Sequence, residues 1–342
     1  MEINNIQKVY IVILNFNGWR HTIECLESVF KLKYSNFSIV VVDNNSTDDS
    51  VKKIISWAKG DIQVKPESSC FDKLVIPNVS KPLKLCVLNK EDIKDNFSYE
   101  SNILTLIPNN NNFGFADGNN IGITYAINQK DCKYVWLLNN DTVVPEDCLD
   151  GLISVFSKKT NEKIGIVGSK LLYYRNPTTI QNIGVNYYKW IAYTKEIGAF
   201  ETDKGQFDKD NIQVDLVQGA SMFVTKDYIQ EVGMLSTDYF LYFEEVDWSI
   251  RGKELGYKCK YSPNSVVYHK SGAATGGNSY SFNKKSEISD FFHLRNKIII
   301  TRKFYPICLI SLYPSYIFPI MNRIKRKQFK RLITIFKIIF TT

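Results

Sequence analysis

Three carboxylates fall within four consecutive residues, Glu244-Glu245-Val246-Asp247, beside the aromatic stretch at 240–243. On a helix Glu244 and Asp247 share roughly one face, and Glu245 turns about 100° away. An acidic helix head also answers the helix dipole, a reading that suits Glu244 or Asp247 better than it suits all three. Three further stretches end apolar runs in amides and acids: Leu14-Asn15-Phe16-Asn17-Gly18, Asp43-Asn44-Asn45-Ser46-Thr47-Asp48 and Leu138-Asn139-Asn140-Asp141-Thr142. Side chains of these types, brought to one crevice, suit a base, a ribose hydroxyl pair and a metal ion. Asn, Asp and Gly also end strands well for local reasons, but three ends of this composition favour a binding role. Of the three histidines, His269 follows Val266-Val267-Tyr268 and precedes a glycine-bearing loop at 271–278, whose composition fits a flap over phosphates or a plain linker. There is no GxSxG and no Walker loop, and the spacing of Gly114, Gly118 and Gly122 is not a dinucleotide fingerprint.

The elements that must carry these residues alternate. Apolar runs at residues 9–14, 38–42, 103–107, 134–138 and 164–167 read as buried strands. Helical spacing lies between them at 22–32, through Ile54, Ile55 and Trp57, at 118–128 and at 146–156. This rhythm predicts an α/β, doubly wound, mostly parallel sheet with helices on both faces and ligands at the carboxyl ends of its strands. Residues 60–102 read as a polar surface insertion, and 171–216 as mixed strands and loops.

With 342 residues, 44% hydrophobic and 23% charged, the chain is of ordinary globular composition, which excludes collagen-like, coiled-coil and wholly disordered classes. Seven scattered cysteines with no CxxC pair argue against a disulfide framework or a zinc site, and no secretory leader pattern opens the chain. A cytoplasmic location is expected. The net charge of +8 is uneven: residues 291–342 hold eleven Lys/Arg and no Asp/Glu, leaving 32 basic against 35 acidic residues elsewhere. Within that tail, residues 304–321 carry no charge and are interrupted by Pro306, Pro314 and Pro319. Two readings stand: an interfacial segment backed by a basic amphipathic helix, which is favoured, or a helical hairpin packed on the body. No nucleic-acid motif accompanies the charge, so no nucleic-acid partner is expected.

The ordered set of motifs resembles the family-2 glycosyltransferases of GT-A fold (Rossmann-like nucleotide-diphospho-sugar transferases), especially bacterial rhamnosyltransferase-like enzymes that extend surface polysaccharides. It comprises residues 13–18, 42–48, Asn112-Phe113-Gly114-Phe115-Ala116 with Gly118-Asn119-Asn120, 138–141, Gln218-Gly219-Ala220-Ser221, 240–247, Arg251 and Gly256-Tyr257. The resemblance implies a catalytic domain over 1–303, with a donor half to about 145 and an acceptor half beyond; the membrane-association segment expected at 304–342 rests on the charge and apolar pattern of the tail. It implies donor-binding roles for Leu14, Asn15, Phe16, Asn17, Asp43, Asn44, Asn45, Gly114, Ala116, Asn119, Asn139 and Asn140. Asn139-Asn140-Asp141 stands where the family has its DxD motif, so Asp141 is implied as a ligand of Mg²⁺ or Mn²⁺, with His269 as the second. Glu245 takes the place of the catalytic base, and Gly219, Ala220, Glu244 and Asp247 lie toward the sugars. The implied reaction is inverting transfer from dTDP-rhamnose or a UDP-sugar to a lipid-linked (polyprenyl diphosphate) or polysaccharide acceptor, at the inner face of the cell membrane. Homo-oligomerisation stays open. A sugar nucleotidyltransferase would need a Gly-rich basic signature near the N-terminus, where residues 15–20 offer only Gly18 and Arg20. A non-catalytic, nucleotide-binding membrane adaptor would not need both the 244–247 acids and Asp141.

Overall fold

The computed structural model describes residues 6–93, 104–158, 160–272 and 286–342. The strands are β1 (Lys8–Asn15), β2 (Phe37–Asp43), β3 (Leu85–Val87), β4 (Leu104–Pro108), β5 (Cys132–Leu138), β6 (Thr142–Val143), β7 (Ile164–Tyr173), β8 (Asn176–Asn182), β9 (Val185–Tyr188), β10 (Tyr193–Glu196), β11 (Ser221–Thr225) and β12 (Lys258–His269). Ten of them form one sheet, in the order β3-β4-β2-β1-β5-β11-β7-β12-β6 with β8 on β7; β9 and β10 make a separate hairpin. The half from β3 to β5 is wholly parallel. Beyond it β11 runs antiparallel to both β5 and β7, while β12 returns parallel to β7. Because Ser221 pairs with Leu138, the loop entering β11 lies at the edge where β5 ends.

The helices are α1 (Trp19–Val29), α2 (Ser50–Lys59), α3 (Asp72–Val75), α4 (Gly114–Ile127), α5 (Cys148–Ser157), α6 (Lys226–Val232), α7 (Glu244–Glu254), α8 (Glu287–Phe304), α9 (Leu309–Ser315), α10 (Ile317–Lys325) and α11 (Phe329–Thr341). Apolar faces of α1, α2 and α5 (Leu26, Trp57, Leu149) pack on one side of the sheet, and those of α4, α6 and α7 (Ile123, Ile229, Trp248) on the other. Helix α4 comes very close to the strands: a Cβ on Gly122 would sit 2.4 Å from Val12 Cγ1. It also begins a turn before the expected residue 118, because Gly114 and Gly118 weaken the apolar signal there without preventing the helix.

Residues 60–102 are more than an insertion. Three of them, β3, extend the sheet beside β4, a strand too short to show a period in the sequence. The first residue of the strand expected at 103–107 lies outside the described residues. The last helices build a third core, in which Leu312, Tyr316, Ile335 and Ile338 pack with Leu294 and Ile298 of α8 and with Phe243 and Val246 at the head of α7. The tail therefore packs on the body through one side. Its other side stays open: the helical run Pro306–Lys325 is long and apolar enough to cross a membrane, with a mean hydropathy of 1.2 and 17% of it buried.

Candidate active site

The strand ends of β1, β2 and β5 meet through a lattice of amides. Asn15, fully buried at the end of β1, donates to Asp43 Oδ1 (2.6 Å) and Ser46 Oγ (3.1 Å). Its Oδ1 accepts from Thr22 Oγ1 (2.7 Å) and Asn140 Nδ2 (3.2 Å). Asp43 also accepts from the backbone N–H of Ser46 at 3.0 Å. Asn44 is buried and holds the next loop, donating to Asn112 Oδ1 (2.9 Å) and Gly114 O (3.0 Å) and accepting from Phe113 N (3.1 Å). The sequence pointed to these amides as donor contacts. The structure spends the Asn15, Asn44 and Asn140 side chains on one another and on the loops, so they shape the crevice. A saturated polar network in a low-dielectric interior is stiff, because every bond in it is costly to leave unmade. Ala116 packs in the core and Asn119 bonds Phe115 O within α4, so neither side chain lines an opening. Leu14, Phe16, Asn17, Asn45, Asn139 and Gly219 keep exposed surface around the lattice.

The loop of 112–115 meets the acid motif directly. Gly114 has φ +77°, and a Cβ there would fall 2.4 Å from Phe240 O, so only glycine fits. Phe115 N–H donates to the same carbonyl at 2.8 Å. Gly219 lies near the Phe115 ring, and Ala220 O accepts from Asn139 N–H at 3.0 Å.

Pairing of β6 with β12, His269 opposite Thr142, brings Asp141 to His269. Both are buried, with His269 Nε2 3.1 Å from Asp141 Oδ1. Gln181 Oε1 lies 2.9 Å from Nδ1, and in the tautomer protonated at Nδ1 it accepts that hydrogen bond, leaving the Nε2 lone pair on the side of Asp141 and Asn139. A histidine whose far nitrogen is held by an oxygen acceptor, facing a carboxylate, fits a divalent cation. Nothing in the sequence signalled Gln181, since it lies 88 residues from its partner. A second cluster of ligand type, His21, Glu24 and Glu67, already holds a cation. Lys270 Nζ bonds all three at 3.0, 2.5 and 2.8 Å, and burial followed by that ammonium lowers the His21 pKa. Of the glycine-bearing loop at 271–278, residues 273–278 lie outside the described residues.

At the head of α7 the three acids separate. Asp247, expected toward the sugars, is fully buried and held by Arg251 Nε (2.5 Å), Lys303 Nζ (2.8 Å) and the Tyr239 hydroxyl (3.3 Å). Fully buried, it anchors the helix, while its two cationic partners keep part of their side chains in solvent. Glu244, on the same face, is buried with its Oε2 unpartnered among the described residues. Glu245 points the other way and keeps partial exposure. Burial raises its carboxyl to about 7, against a smaller opposing effect of the backbone N–H groups of Glu245 and Phe243. Glu244 is pushed well above the carboxylate range by burial and then by the Glu245 charge. The turn into the helix is unusual, with Tyr242 and Phe243 both left-handed at φ 69° and 77°. Buried Asn296 of α8 holds it, donating to Leu241 O (2.9 Å) and Tyr242 O (2.8 Å).

The family described as Glycosyltransferase like family 2 matches residues 89–285, more than half of the chain, and that described as Glycosyl transferase family 2 matches residues 10–68. The chain belongs to glycosyltransferase family 2. It is similar to the low-salt glycan biosynthesis hexosyltransferase Agl10 of Haloferax volcanii, 25% identical over 150 residues, 43% of this chain and 45% of that one. It is also similar to the glycosyltransferase GlyG of Streptococcus pneumoniae, 21% identical over 151 residues, 44% of this chain and 36% of that one. These matches span less than half the length of either relative. Among solved structures, GalNAc-T7 with UDP, GalNAc and Mn²⁺ superposes with a TM-score of 0.60 at 15% identity, over 92% of this chain and 51% of that one. The mannosyltransferase PcManGT of Pyrobaculum calidifontis, with GDP-Man and Mn²⁺, gives 0.50 at 16% identity, over 91% and 70%. The fold of this family 2 glycosyltransferase is GT-A.

Proposed function

We propose that this glycosyltransferase performs inverting, metal-dependent transfer from a nucleoside-diphosphate sugar, with Glu245 as the base. The observation that carries the reading is the split of the acid motif. One carboxyl, Glu245, is partly exposed with its pKa raised by burial, while Glu244 is buried and Asp247 is buried and paired. In the reaction, an acceptor hydroxyl gives its proton to the Glu245 carboxylate as its oxygen bonds to the anomeric carbon. The bond from that carbon to the diphosphate breaks on the opposite face, and the electron pair leaves with the nucleoside diphosphate. Asp141 and His269 would hold Mg²⁺ or Mn²⁺, which when bound neutralises diphosphate charge; Gln181 keeps the histidine in the required tautomer. The lattice of Asn15, Asp43 and Asn140 fixes the crevice for base and ribose. GalNAc-T7 and PcManGT carry UDP and GDP-Man with Mn²⁺, which supports a nucleotide-sugar donor here. The hexosyltransferase and glycan names of relatives support a hexose donor and a glycan acceptor, for which dTDP-rhamnose or a UDP-sugar and a lipid-linked chain are our reading.

The test is release of nucleoside diphosphate from a panel of UDP-, GDP- and dTDP-sugars, with Mn²⁺, with Mg²⁺ and with chelator, followed by anomeric analysis of the product. Metal-stimulated release and an inverted linkage are expected. Release that ignores chelator, or retained configuration, overturns the proposal.

A further inference from the structure

Helices α9 and α11 each bury one apolar side in the third core and expose another, and α10 between them is exposed over most of its apolar residues. In α11, Ile335 and Ile338 pack inward, whereas Phe329, Ile333, Phe336 and Phe340 recur at helical spacing and are exposed, Phe340 by 82%. In the two preceding helices Ile310 (74%) and Phe318 (69%) are exposed likewise. In α9 and α11 these exposed residues are distinct from the buried set, Leu312 in the first and Ile335 with Ile338 in the second, whereas α10 buries none of its residues fully. Continuous with this face is the turn between β9 and β10. Ser311 Oγ bonds Trp190 O there, and the Trp190 side chain is 56% exposed. An indole beside an aliphatic face is the arrangement found where protein meets lipid headgroups.

Charge decides what covers this face. No Asp or Glu occurs in residues 291–342, and exposed Lys325, Lys330 and Lys337 stand on α10 and α11, with exposed Lys327 in the turn between them. A second copy would bring like charge to like across such a contact. An anionic bilayer answers both halves: acyl chains take the phenylalanines and isoleucines, and phosphate groups take the lysines. We infer that the open face of α9, α10 and α11 docks on anionic phospholipid, lying in the interface rather than spanning it. Prolines at 306, 314 and 319 interrupt the apolar run, and α10 and α11 each place basic residues beside exposed apolar ones, which suits a surface position. Docking would fix the body relative to the bilayer through α8, which contacts both α9 and α11 and whose Asn296 holds the turn before Glu245.

The test uses the whole chain in flotation with vesicles of phosphatidylcholine, alone or with one part in four of phosphatidylglycerol, at low and high salt. Binding to the anionic vesicles only, weakened by salt, is expected. Combined Lys325→Gln, Lys327→Gln and Lys330→Gln should weaken it about a hundredfold at low salt. Phe336→Ser with Phe340→Ser should weaken it at least tenfold, roughly, at any salt. Both variants alter exposed side chains, so their melting temperatures and donor hydrolysis should match the parent. Absence of vesicle binding, equal binding to neutral and anionic lipid, or full binding by either variant overturns the inference. So does concentration-dependent self-association that the Phe substitutions abolish in lipid-free solution, which would make the face a contact between copies. Because binding is read without substrate, its failure is distinct from failure of the transfer chemistry.

Discussion

Replacing Glu245 by Gln should produce an enzyme that is at once slower and, above neutrality, more stable. The carboxyl ordinarily titrates at 4.5 and is raised to about 7 in the fold by burial. The folded chain therefore holds this proton more tightly than the unfolded one. The stabilisation so gained is complete below pH 4.5 and is lost as pH rises through about 7. That gap corresponds to about 3 kcal/mol. Gln carries no such penalty, so at pH 8 the variant should be the more stable by up to about 3 kcal/mol, and the two should converge toward pH 4.5. Turnover should move the opposite way. In the parent, kcat/KM should rise about tenfold from pH 6 to pH 8, as the ionised fraction climbs from roughly one-tenth to nine-tenths. In Glu245→Gln it should be lower by about a hundredfold or more, and that rising limb should vanish. Glu244, held protonated by burial and by the neighbouring charge, couples to Glu245, so the observed limb belongs to the pair. Urea unfolding at pH 5 and pH 8 without donor, with nucleoside diphosphate release over the same range, measures both effects. A stability difference that is independent of pH, or a Gln variant with the parent's turnover, would refute the reasoning.

Asp141→Asn removes the carboxylate beside His269 Nε2, and nucleoside diphosphate binding measured by calorimetry should lose its dependence on Mn²⁺; a binding curve still abolished by chelator would contradict the metal assignment. Gly122→Ala forces a methyl against Val12 and Val42 and should cost about 1–3 kcal/mol in urea unfolding, with a neutral result showing that α4 can move off the sheet. Asn296→Asp keeps the side-chain volume but loses both donors to the 241–242 carbonyls. It should lower kcat with little change in the donor KM, whereas an equal loss in both, tracking stability, would make the residue structural only.

The sheet was legible because its parallel half is buried on both faces, and its strands are near-continuous apolar runs such as residues 9–14, extended in the structure only to Lys8–Asn15. Spacing alone also separated Glu245 from Glu244 and Asp247, since a helix repeats every 3.6 residues wherever it sits. What escaped the sequence is pairing at long range. Gln181 with His269, Lys303 with Asp247 and Asn296 with the 241–242 turn are chosen by tertiary packing, and none leaves a local pattern. The amides of Asn15, Asn44 and Asn140 were recognisable as a cluster, but composition does not tell a ligand contact from a group already satisfied by its neighbours. For the tail, the packed-hairpin reading describes the buried sides of α9 and α11, and a linear count could not say which apolar residues of these helices are covered.

The third core also sets an order of assembly. A growing chain that has reached His269 possesses every strand of the sheet, the amide lattice and the Asp141–His269 pair. Phe243 and Val246 at the head of α7 still lack Leu294, Ile298, Ile335 and Ile338, which arrive tens of residues later. The left-handed turn before Glu245 likewise waits for Asn296. The strand-end lattice can thus form before the turn into α7 is locked in place, and in the interval Phe243 and Val246 leave apolar surface bare.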